Sequence, residues 1–258
     1  GAIALSDVVG WRTSWLAAAV FLLVVAIPAL LWLLRTERAP KAMAEATVSP
    51  GIGGRHWTRG EMLARWLFWA LLPGLIAPGW IGTVVFFQIV PLTELKGWDP
   101  LAYAALAYPC FSFAAIAAGF GFGWAADRFG AVRLLPVYLL GWAAGTVLLS
   151  FSESLIGGVV ALTVAGLGAG GASIVSGALF AELYGTRWLG GIRSIAAAVM
   201  VFASALGPGL SGAMLDAGIG FETQCLGMGV YMLMVSVWFL YVSARARGML
   251  APDALAQG

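Results

Sequence analysis

Charge is scarce in this chain: of 258 residues only 10% are Asp, Glu, Lys or Arg, where a soluble domain carries about 25%. That shortage excludes an ordinary solvated surface. Histidine is scarcer still, with His56 the sole copy, so a Ser/His dyad or a histidine metal site lacks its material. The two lysines, Lys41 and Lys96, both fall outside the apolar runs, which excludes a retinal Schiff base within a span. Cys110 and Cys225 lie in or near apolar runs and read as packing residues rather than as a disulfide or ligand pair. No enzyme chemistry, cofactor or metal is therefore expected.

In place of charge there is apolar length: 61% of residues are hydrophobic against about 45–50% in soluble domains. A bilayer core about 30 Å thick needs roughly 20 apolar residues per helix, and backbone in lipid must satisfy its own hydrogen bonds. The sequence predicts an all-α integral membrane protein with seven transmembrane helices, near 15–34, 63–91, 101–125, 132–151, 155–180, 192–215 and 223–244. The alternating ten-residue segments of a membrane barrel do not occur.

Basic residues near span ends stay on the cytoplasmic side. Arg35, Arg38, Lys41, Arg55, Arg59, Arg65, Arg128, Arg133, Arg187, Arg193, Arg245 and Arg247 fall on one side of the seven-span pattern, and only Arg12 and Lys96 on the other. The expected location is the inner (cytoplasmic) membrane, multi-pass, with the C-terminus cytoplasmic. The net charge of +2 is thus an orientation signal and gives no reason to expect nucleic acid as a partner.

An odd number of spans and an opening Gly1 without a leading basic segment suggest a fragment of a longer protein. Ala42-Met-Ala44 resembles a signal-peptide cleavage site, but the preceding apolar run is too long and Arg35, Arg38 and Lys41 follow it, a stop-transfer pattern. The polar segment 35–62, with Pro40 and Pro50, reads as a cytoplasmic linker between bundles. The expected organisation is 1–34 as the last helix of an N-terminal bundle, 35–62 the linker, 63–247 a six-helix bundle and 248–258 a cytoplasmic tail.

Between the third and fourth predicted spans lies Gly123-Trp-Ala-Ala-Asp127-Arg128-Phe-Gly130-Ala-Val-Arg133. Gly123 permits close backbone approach, Gly130 turns the chain, and Asp127, Arg128 and Arg133 form a charge cluster at the interface. This segment resembles the Gly-x-x-x-Asp-Arg-x-Gly-x-x-Arg loop that major facilitator superfamily transporters carry between the second and third helices of each six-helix half. Glu182-Leu-Tyr-Gly-Thr-Arg187, Gly10-Trp11-Arg12, and Gly207-Pro208-Gly209 with Gly212 and Asp216 add to the resemblance. It implies the C-terminal half of such a transporter, preceded by the last helix of the N-terminal half, with the first five helices missing as partners. It also implies a conformational gate of Gly123, Asp127, Arg128, Gly130, Arg133, Glu182 and Arg187, in which Asp127 meets the other half and Arg128 pairs with Glu182.

Four-residue glycine pairs, Gly119/Gly123, Gly141/Gly145 and Gly166/Gly170, predict close helix contacts in lipid. Pro73, Pro78, Pro109 and Pro208 should bend their helices and free carbonyls that neighbours must satisfy. The run Gly166-Leu-Gly168-Ala-Gly170-Gly171 matches a dinucleotide fingerprint literally, yet it lies inside an apolar run with no strand before it, so no nucleotide is expected.

Polar residues within spans are few, and no acid or base is expected at mid-depth. In the family the first, second, fourth and fifth helices of each half line the cavity. That makes Thr83, Gln88, Tyr108, Ser112, Ser173 and Ser176 candidates to contact a small-molecule substrate, with bonding to neighbouring helices or their own backbone the alternative for each. The segment Phe86 to Trp98 is similar to bacterial relatives of monocarboxylate-type porters, which points to an organic anion or metabolite as cargo. Acid-carrying porters place an acid and an arginine inside the third of these spans, whereas Cys110 to Gly119 contains neither. The expected function is secondary transport by alternating access. The alternative is a non-transporting truncated membrane protein that serves as an assembly or regulatory partner.

Overall fold

The computed structural model describes residues 11–33 and 49–254, and among them every regular element is helical. Arg35, Arg38, Lys41 and the end of the expected tail lie outside these residues. The chain divides into two compact units, Gly1–Val48 and Ser49–Gly258. In the first, α1 (Trp11–Phe21) runs through a π-turn at Leu22–Ala26 into α2 (Ile27–Leu33). The π-turn precedes Pro28, and Ile27 donates its N–H to the Leu22 carbonyl five residues back. A proline ring crowds the carbonyl four residues behind it, and a wider turn relieves that crowding.

The second unit opens with a 3₁₀ turn, Ile52–Gly54, and α3 (Arg59–Leu63), followed by α4 (Trp66–Phe87) and the short α5 (Ile89–Leu95). There follow α6 (Pro100–Phe129), α7 (Ala131–Leu134), α8 (Leu140–Ser150), α9 (Leu155–Tyr184), α10 (Leu189–Asp216) and α11 (Phe221–Ala254). Among the described residues five helices are long and apolar enough to cross a membrane: α4, α6, α9, α10 and the Phe221–Leu250 part of α11. Two of the seven expected spans are therefore not single long helices. Ala19–Leu33 is a shorter apolar helix, and the stretch expected at 132–151 is carried by α7 and α8. Pro136 explains that break. It has no N–H, and the turn around it closes through tighter bonds from Val137 to Leu134 (3.0 Å) and from Leu140 to Val137 (3.0 Å).

By contrast, Pro73 and Pro78 lie inside α4, Pro109 inside α6 and Pro208 inside α10, each helix continuous through its prolines. Pro78 leaves the Gly74 carbonyl without its usual partner. The Tyr138 hydroxyl supplies one at 2.8 Å, and its ring stacks on Phe239 at 6.2 Å in the core. A side chain at Gly74 would run into Phe239, so the glycine makes room for this bond.

The helix α9 packs along both α6 and α8, while α10 lies on α4 and α11 on α8. Small residues let these backbones touch. A Cβ on Gly166 would stand 2.5 Å from the Phe111 carbonyl oxygen, and one on Gly145 would stand 2.6 Å from the Ala165 Cβ. Gly119 backs onto Gly170, whereas nothing lies within 4 Å of the position a Cβ would take on Gly123. Caps set the helix starts: Asp99 accepts from Leu101 N (2.8 Å) ahead of α6, and Ser154 from Gly157 N (3.1 Å) ahead of α9.

Replacing Tyr138 by Phe strands the Gly74 carbonyl in the core, a cost of about 1–3 kcal/mol. Thermal unfolding in detergent should show Tyr138→Phe clearly destabilised. A change within error would mean that Gly74 finds another donor.

Candidate functional site

Arg59, Arg65, Arg128, Arg133, Arg187, Arg245 and Arg247 gather at one end of the second unit, where α4 and α10 begin and α6, α9 and α11 end. At this end α6 finishes in Asp127-Arg128-Phe129, and Gly130 reverses the chain into α7 with φ of 83°, a conformation that suits glycine. The Glu182 carboxylate of α9 faces the turn. Its Oε2 accepts from Ala131 N (2.6 Å) and Val132 N (3.3 Å), and a Cβ on Gly130 would come 2.8 Å from its Oε1. An acid at the exposed N–H groups of a helix start is favourable in charge and satisfies bonds no backbone carbonyl can reach.

Glu182 thus serves the backbone and does not pair with Arg128. The Arg128 guanidinium lies 5.8 Å from the ring centres of both Trp124 and Phe129. Asp127, Arg128 and Arg133 are exposed, and Asp127 makes no hydrogen bond or ion pair among the described residues. Arg187 stacks over Trp188 at 5.6 Å and, with Thr58 and Arg59, lines an open cavity of about 510 Å³.

Beside this turn the C-terminal part of the expected linker is folded onto the bundle. Trp57 N–H donates to the Tyr184 carbonyl (3.0 Å), and Thr186 N–H donates to the Ser49 carbonyl (3.1 Å). Trp57 is buried edge-on to Tyr184, with Arg55 4.0 Å over its ring. His56 is half-buried against Gly185. A polar composition alone reads as a linker and gives no sign of this packing. Gly51 makes the fit possible, since it lies directly on the backbone of Leu183 to Gly185.

After Trp57 the chain enters α3 through a capping box. Thr58 N and Thr58 Oγ1 each donate to Glu61 Oε2 at 2.8 Å, and Glu61 N–H returns a bond to Thr58 Oγ1 at 3.4 Å. The Thr58 backbone bond first, then its hydroxyl, and lastly Arg55 at 3.5 Å hold the Glu61 carboxyl below the usual glutamate range.

The substrate-cavity candidates separate. Thr83 donates to its own Gly79 carbonyl (2.8 Å) and meets Ser204 of α10 at 2.6 Å. Gln88 is buried and donates to Ser211 (3.3 Å), which donates to Gln224 of α11 (2.6 Å). Both candidates are therefore engaged in tying α4 to α10. Tyr108 lies against Phe86 at 5.6 Å, and Ser112 is exposed without a hydrogen bond among the described residues. Ser173 and Ser176 come together: both line a cavity of about 260 Å³ between α9 and α10, their hydroxyls donating back to Gly170 (2.9 Å) and Ala172 (2.6 Å). The same cavity holds Arg193, which the sequence counted among the basic residues of the cytoplasmic side, at the start of the 192–215 span.

A helical bundle of long apolar crossings, with a charged glycine turn at its arginine-rich end, defines a multi-pass membrane protein. The family model described as Major Facilitator Superfamily matches residues 101–255, more than half of the chain, and the chain belongs to that superfamily of membrane transporters. The match includes the Gly123–Arg133 turn, Glu182 and Arg187 but singles out no narrower group such as the monocarboxylate-type porters. Neither a curated protein nor a solved structure matches the chain.

Two outcomes follow from this geometry. Since Glu182 bonds backbone N–H groups, Glu182→Ala should cost about 1.5–3 kcal/mol in thermal unfolding, and Glu182→Arg should not be rescued by Arg128→Glu. Recovery in the double reversal would restore the ion pair. A carboxyl held below its normal pKa stabilises fully above the unfolded value of about 4.3 and loses that effect as pH falls through the lowered value. Protection of the Glu61–Leu63 amides, measured as exchange relative to the intrinsic rate at each pH, should therefore fall on acidification past pH ~4 and hold over that range in Glu61→Gln.

Proposed function

We propose that this chain carries out secondary transport of a small solute by alternating access, in the inner membrane, with its arginine-rich end and C-terminus in the cytoplasm. In this reading residues 63–247 form one bundle. It works against a second bundle that ends near residue 34, and the segment 35–62 joins the two. Its partners are the lipid bilayer, those preceding helices and the solute. Thr83, Gln88, Tyr108, Ser112, Ser173 and Ser176 remain the candidates along the path, with Ser173 and Ser176 open to it and Thr83 and Gln88 holding the helices that line it.

The observation that carries the reading is Asp127. It occupies the last turn of α6, exposed and without a hydrogen bond or ion pair among the described residues. An anion there meets the negative end of the helix dipole, which is unfavourable by about 0.3–1 kcal/mol. Such a placement is useful when the acid docks on the positive end of another helix in one conformation and releases it in the other. Arg128, Gly130, Arg133, Glu182 and Arg187 then shape and hold the turn that presents it, and Gly123, with open space beside it, admits the approaching backbone.

Removing the charge tests this directly. Asp127→Asn should leave thermal stability unchanged or slightly raised while cutting solute flux in proteoliposomes by about tenfold, the loss of one charge-assisted contact. Full flux in Asp127→Asn would remove the gate. Orientation is checked separately with impermeant maleimide on intact cells in a Cys110→Ser, Cys225→Ser background, where Glu153→Cys should label and Arg187→Cys should not.

A further inference from the structure

Arg193 lies in the second turn of α10, and its guanidinium donates to the Gly177 carbonyl oxygen of α9. Gly177 is seven residues before the end of α9 at Tyr184, about 10 Å inside along the axis at 1.5 Å per residue. An arginine near a span end ordinarily extends outward so that its charge reaches the interface. Arg193 instead rests on Gly177, exposed, at the edge of the cavity of about 260 Å³ whose lining it shares with Ser173 and Ser176.

No carboxylate pairs with it there: among the described residues the ion pairs are Arg55–Glu61 and Lys96–Glu222. One carbonyl bond leaves most of its five N–H donors available. The rest of the lining is apolar, chiefly Leu75, Phe180 and Met200. A second cavity of about 280 Å³ shares Leu75, Ser173, Ser176 and Met200 and extends to Tyr138 and Trp142. The guanidinium itself is exposed, and its bond to Gly177 leaves the remaining donors open to a ligand on the cavity side.

We propose that this cavity binds a small monoanionic carboxylate with a compact apolar body. The carboxylate sits on the Arg193 guanidinium, and the body rests on Leu75, Phe180 and Met200. The charge is single because Arg193 is the one cation in the lining, and a second negative charge would find no cation of its own there. The Ser173 and Ser176 hydroxyls bond carbonyls that already accept helix N–H groups, so either can turn its O–H toward the ligand at the cost of a redundant bond. The inference rests on the transport reading and names the cargo of that same path.

The test uses the purified full-length membrane protein at neutral pH, with benzoate as the anion and benzamide as its neutral counterpart. Benzoate, and not benzamide, should raise the melting temperature and be taken up by proteoliposomes. Arg193→Gln should weaken benzoate affinity by about tenfold to a hundredfold, the worth of a charged hydrogen-bonded contact. Arg193→Lys should retain part of it, and Arg247→Gln, which removes a charge at the end of α11, should behave as wild type. Equal responses in wild type and Arg193→Gln overturn the site. So does a wild type indifferent to benzoate whose Arg193→Gln variant melts lower, since the cation's partner is then an acid of the protein itself. Transport of another solute that survives Arg193→Gln overturns the anion site and leaves the transport reading standing. A wild type that moves no solute beyond empty liposomes fails at the earlier step.

Discussion

A carbonyl inside a bilayer has no water to turn to, and much of this molecule is arranged around that constraint. The clearest instance is the triangle of Pro78, Gly74 and Tyr138: the proline withholds an N–H, the glycine opens a space, and the tyrosine of another segment fills the vacancy. The same economy appears in the side chains, where Thr83, Thr146, Thr163 and Ser176 return their protons to the carbonyls of their own helices. Once backbone groups are satisfied locally, helices can meet through bare glycine faces, as α9 does with α6 and α8.

That arrangement leaves the two ends of the bundle to differ. At one, Lys96 pairs with Glu222, Trp98 donates to the Glu153 carbonyl (3.2 Å) and Ser150 to the Glu222 carbonyl (2.8 Å), so neighbouring loops are fastened side chain to backbone. At the other, a glutamate binds a helix start and the arginines lie over aromatic rings or stand exposed. Fixed bonds suit an end that holds its shape, and exposed charges suit an end whose partner changes.

The long spans were legible because each is an unbroken apolar run, and α4, α6, α9, α10 and α11 fall where hydropathy placed them. The position of the charged turn was legible from Gly130 and the residues around it. Pro136 was not, since it sits in an apolar run no less continuous than those holding Pro73 or Pro109; which proline interrupts a helix depends on what lies opposite it. Glu182 misled for a related reason. The resemblance implied an ion pair with Arg128, while the unfilled N–H groups of a helix start cannot be read from composition. Arg193 shows the limit most plainly, because position in a span tells where a side chain begins and not which way it reaches.

The clasp at Trp57 and Ser49 has a consequence for how strain travels. Those residues hold Tyr184 and Thr186, and two residues before Tyr184 lies the glutamate that seats the turn after α6. A pull on the chain ahead of Ser49 is thus delivered to a point some 130 residues downstream in sequence, bypassing every helix between. The clasp thereby makes the segment entering α3 and the turn after α6 neighbours on one short stretch of α9.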